Sequence, residues 1–74
     1  MKKEKDNKTE IVYSYGAETK TLSGKIRFDN KSEDFEVLKI ADNDTEKGVS
    51  YLLPLVYRII KKENAPNERQ IAIG

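Results

Sequence analysis

The sequence predicts an α+β domain of order β-β-β-α-β: a four-stranded, mostly antiparallel sheet with one helix packed on one face. Two patterns carry that expectation. Apolar and polar residues alternate with a period of two through much of residues 10–41, and apolar residues recur with a helical period over 45–63. A third observation bounds it, because 74 residues with 36% hydrophobic content allow one small core and one domain.

Residues 1–9 hold no apolar residue after Met1 and cannot offset their ordering entropy by burial. They are expected to be a flexible charged tail, with residues 10–74 forming the domain. From Glu10, the residues Ile11, Tyr13 and Tyr15 alternate with Val12 and Ser14, and their β-branched and aromatic content favours a strand. Gly16 ends it, and Ala17-Glu18-Thr19-Lys20 suits a hairpin loop. Next, Leu22, Gly24, Ile26 and Phe28 fall on one face, while Thr21, Ser23, Lys25 and Arg27 fall on the other. An inward glycine at 24 signals a bulge or a close approach by a neighbouring element.

Asp29-Asn30-Lys31-Ser32 is turn chemistry. The third strand, over 34–41, breaks phase: Phe35 and Val37 share one face, Leu38 and Ile40 the other. A bulge between Val37 and Leu38 accounts for the break. A helix follows over 45–63. Asn43 with Glu46 has capping-box spacing, and Asp44 is an alternative cap. Val49, Leu52, Leu53, Val56, Ile59 and Ile60 then form a single apolar stripe. Pro54 removes one backbone bond, to the Ser50 carbonyl, yet the stripe keeps its phase across it, so one bent helix is expected. Asn64-Ala65-Pro66-Asn67 stops the helix. Residues 68–74 alternate again and predict a last strand. A right-handed crossover lays it beside 10–15, giving the order 34–41, 22–28, 10–15, 68–74 across the sheet. The expected core is Ile11 or Val12, Tyr13, Leu22, Ile26, Phe28, Val37, Leu38 or Ile40, the helix stripe, and Ile71 with Ile73.

Composition narrows the chemistry. Fourteen basic and 13 acidic residues leave a net charge of +1, so no single-sign field announces a polyanion partner. With no Cys, His or Trp, disulfides, thiolate chemistry, imidazole catalysis and the usual zinc ligand sets are excluded. The four glycines are isolated, so no phosphate-cradling loop is present. Asp42-Asn43-Asp44-Thr45-Glu46 imitates the start of a calcium loop, but the position that must carry a bidentate glutamate is Leu53. The expectation is a protein that is not an enzyme and takes no metal or cofactor. No apolar run approaches the roughly 18 residues of a membrane span, so a cytoplasmic location is expected, without a membrane partner.

Two surfaces remain as candidates. Tyr51, Leu55, Arg58 and Lys62 form a second helix stripe outside the core line, and Tyr and Arg flanking a Leu is a composition enriched at protein contacts. This favours a small accessory module that binds a protein partner or a second copy of itself. The alternative is weak binding of single-stranded nucleic acid on the open sheet face, through Lys20, Lys25, Arg27 and Lys39, with Tyr13 or Tyr15 as a stacking surface. The runs Ser23-Gly24-Lys25-Ile26-Arg27-Phe28-Asp29, Phe35-Glu36-Val37-Leu38 and Leu55-Val56-Tyr57-Arg58 resemble small uncharacterised proteins encoded on bacterial mobile elements. That resemblance implies an accessory protein acting by binding and assigns no functional residue.

Overall fold

A run of charged residues forms β1 (Lys2–Asp6), alternating side chains build β2 (Glu10–Tyr15), β3 (Gly24–Asp29) and β4 (Phe35–Lys39), and an amphipathic segment builds α1 (Glu46–Lys62). The computed structural model describes residues 1–16, 22–42 and 44–70. The four strands form one antiparallel sheet in the order β1-β2-β3-β4. Ile11, Tyr13, Tyr15, Ile26 and Phe28 point to one face and meet Val49, Leu52, Val56 and Ile60 of α1. The α+β class and the single helix on one sheet face agree with the sequence pattern.

The strand order differs from expectation at one place. Residues 2–6, expected in a tail, form β1 and fill the position beside β2 that the crossover assigned to 68–74. Among the described residues the element order is therefore β-β-β-β-α. No apolar side chain recruits β1; its backbone is paired on both sides. Its inner side pairs with β2. Against its outer side, Lys3 N–H donates to the Asn67 carbonyl at 2.7 Å and Arg69 N–H to the Met1 carbonyl at 2.9 Å, with Lys2 opposite Glu68. The segment after the helix thus lies one strand further out than expected, and residues 71–74 lie outside the described residues. Side chains of β1 add polar anchors. Lys3 Nζ reaches both the Ala65 carbonyl and the Asp6 carboxylate at 2.9 Å, and Ser14 Oγ donates to Glu4 at 3.0 Å.

Two other expectations change. Leu22 precedes β3 and is 38% exposed, so it belongs neither to the strand nor to the core. Val12 is buried, but on the opposite face from the core, between Lys5 and Arg27 of the flanking strands. The bulge in β4 falls as the phase break requires. Val37 pairs with Ile26 and Lys39 with Lys25, which leaves Leu38 as the extra residue.

The helix runs unbroken through Pro54, whose ring is exposed, and it is about 26 Å long at 1.5 Å per residue. Its cap is Thr45, whose Oγ1 accepts Gly48 N–H at 3.1 Å, in place of the expected Asn43 or Asp44. Asn43 lies outside the described residues. Asp44 is engaged elsewhere: Oδ1 accepts Thr45 N–H at 2.8 Å and Oδ2 accepts the Tyr15 hydroxyl at 3.1 Å. At the other end, Asn64 adopts φ 57° and Ala65 N–H returns to the Ile60 carbonyl at 3.2 Å, closing the helix with a Schellman motif. Ala65 itself holds φ 48°, a left-handed conformation that costs an L-residue about 1–2 kcal/mol. Burial of its methyl group and the Lys3 bond to its carbonyl hold it there.

Two tyrosines of β2 tie the sheet to both helix ends. The Tyr15 hydroxyl also accepts Ala41 N–H at 3.1 Å, and the Tyr13 hydroxyl donates to the Pro66 carbonyl at 2.7 Å. The Tyr15 ring lies across Gly24, where a Cβ would sit 2.2 Å from ring carbon Cε1. Gly24 is therefore the close approach that the inward glycine signalled.

The ring is fully buried and has nowhere to move, so Gly24→Ala should cost about 1–3 kcal/mol in urea unfolding. An unchanged midpoint would show that the ring yields. Burial also pushes the Tyr13 phenol up to about 12. The neutral phenol then stabilises the fold fully below pH 10, and this contribution is lost as pH rises through 12. Tyr13→Phe should lower stability at neutral pH by about 1 kcal/mol through the lost bond and flatten the decline of Tm between pH 10 and 12. An equally steep alkaline limb in the variant would refute that assignment.

Candidate interaction surface

The open face of the sheet is laced with both signs of charge. Glu10 accepts Lys5 Nζ at 2.8 Å and also pairs with Arg27, whose Nη2 lies 3.5 Å from Asp29. Lys5, and then Arg27, hold the Glu10 carboxyl below the usual carboxylate range, and the bond that Arg27 donates to Glu10 raises the Arg27 guanidinium. Glu36 sits opposite Arg27 on β4, and Lys25 sits opposite Lys39. Of the four expected nucleic-acid contacts, Lys25 and Lys39 are neighbours, Arg27 is committed to carboxylates, and Lys20 lies outside the described residues. Tyr13 and Tyr15 are buried on the core face, 1% and 2% exposed, so neither offers a stacking surface.

On the second helix stripe, Tyr51 is 73% exposed, and Arg58 and Lys62 are exposed beside it. Leu55 is half-buried and packs against the core, so the stripe's apolar centre leans inward.

A third surface runs along β4 and the helix flank above it. The Phe28 and Phe35 rings are tilted at 52° with centroids 5.0 Å apart, and Phe28 meets Tyr57 edge-to-face at 6.1 Å. The Tyr57 hydroxyl donates to Glu33 Oε2 at 3.4 Å, and Lys61 pairs with the same carboxylate while its Nζ lies 5.8 Å from the Phe28 and Tyr57 ring centres. The lysine holds Glu33 below the usual range and is itself raised. Leu53 lies one helical turn before Tyr57 on the same flank. Around this side Phe35, Val37, Ile40 and Leu53 are only half-buried, while Leu38 is 48% and Tyr57 39% exposed. Neither Leu38 nor Tyr57 stands out in the sequence as a contact residue. The phase break at Leu38 was the available signal, since a bulge residue belongs to neither face.

The two outer strands differ. Among the described residues, β1 is covered by residues 67–69, whereas nothing pairs with the outer side of β4. Among the described residues, no three side chains converge as metal ligands, and no helix is long and apolar enough to cross a membrane. No protein-family model, curated protein or solved structure matches the chain.

The pairing of Glu10 with Lys5 and Arg27 predicts a response to acid. Its lowered pKa contributes stability above pH 4.5 that is lost as pH falls through the folded value. Glu10→Gln should therefore show a shallower fall of Tm below pH 4.5 than the native chain. Parallel curves would place the pairing energy elsewhere.

Proposed function

We propose that this chain is a small, non-catalytic, protein-binding module that docks through the side formed by β4 and the Leu53–Tyr57 flank of α1. One observation carries the reading. A chain with few apolar residues leaves Leu38 48% and Tyr57 39% exposed beside four half-buried residues that pack on the core. Exposed apolar side chains grouped on one side of a small domain mark interaction sites in monomeric proteins. The exposed Tyr51, with Arg58 and Lys62, supports a second contact on the opposite helix flank. Nucleic acid is the competing partner class, and its support is the adjacent Lys25 and Lys39.

Affinity capture from extract, with and without nuclease, tests the reading. Recovery of a protein that survives nuclease and is lost in Leu38→Glu, with far-UV circular dichroism unchanged, is the expected result. Recovery that requires nucleic acid and weakens steeply with salt would replace it with the nucleic-acid reading.

A further inference from the structure

The outer edge of β4 carries its own complement. The bulge at Leu38 turns Glu36 and Lys39 to the same sheet face, although they stand three residues apart: Glu36 is opposite Arg27 and Lys39 opposite Lys25. In a regular strand that spacing puts two side chains on opposite faces. Phe35 pairs with inward Phe28, and Ile40 packs on the core, so those two share the other face.

We infer that the open edge of β4 receives the β4 of a second copy, antiparallel, about a two-fold axis perpendicular to the sheet. This rests on the docking side proposed above and names its occupant. The register sets Glu36 against Lys39 of the partner at two symmetric positions, with Phe35 facing the partner's Ile40. Opposite charges directly across two strands are stabilising, and like charges are not. Within one copy Lys39 faces Lys25, a like-charge pair, and the partner's Glu36 would relieve it. The two half-buried apolar flanks would meet beneath the joined sheet, with both helices on the same side. An isologous interface of this kind closes after two copies and leaves no further β4 edge for growth.

Sedimentation equilibrium over a range of concentrations reads the association, with circular dichroism and Tm confirming that each variant is folded. The native chain should approach twice its monomer mass. Glu36→Lys and Lys39→Glu should each weaken self-association about tenfold or more, because both symmetric pairs become like-charged. Mixing these two single variants should restore association, since each then supplies the sign the other lacks. The double variant E36K/K39E should dimerise as the native chain does.

A chain that stays monomeric throughout, or a dimer indifferent to these exchanges, would overturn the inference. A monomer whose capture of another protein still depends on Leu38 would overturn only the self-pairing and leave the proposed function standing. Loss of both would remove the docking side altogether.

Discussion

The two phenol rings of β2 hold the structure together. Tyr13 and Tyr15 fill the space between sheet and helix, and their hydroxyls reach the backbone just beyond one helix end and just before the other. A helix laid on a sheet by aliphatic contact alone can slide, because dispersion and hydrophobic burial have no direction. Hydrogen bonds at both ends give the seating a fixed register. They also explain local details that otherwise look unrelated. The Tyr15 ring requires a glycine at 24, and its hydroxyl takes Asp44 away from capping duty and leaves that task to Thr45.

Most of the frame was legible from hydrophobic period. The meander, the continuous helix across Pro54 and the bulge at Leu38 each follow from which residues must avoid water. The misplaced pieces are those held by other forces. Strand β1 is Lys-Lys-Glu-Lys-Asp, with no apolar residue to betray it. It exists because its amides and carbonyls find partners on both sides and its charged side chains find carboxylates and a carbonyl. Periodicity is silent about that kind of strand. The helix cap was ambiguous for a related reason. Asn43, Asp44 and Thr45 are all good caps, and the choice was made by a tyrosine 29 positions before Asp44.

The interaction side was harder to read. The second helix stripe was visible as a pattern, yet its Leu55 turns toward the core while Leu38 and Tyr57 stand out. Whether a half-apolar strand edge is covered depends on which neighbour reaches it, and a linear pattern does not encode that. The outer strands show the difference. One is hidden by the chain's own later segment, and the other presents charges of both signs and a protruding leucine.

Closing the ladder between residues 1–3 and 67–69 joins the most distant stretches of the described chain, whereas the β2–β3–β4 meander joins near neighbours. Loop-closure entropy therefore delays that outermost pairing until the remainder is assembled. A nascent chain leaving the ribosome can pair β1 with β2 at once but holds the outer side of β1 waiting for backbone that is still unsynthesised, so the last ladder to set is also one with no oily surface to hurry it.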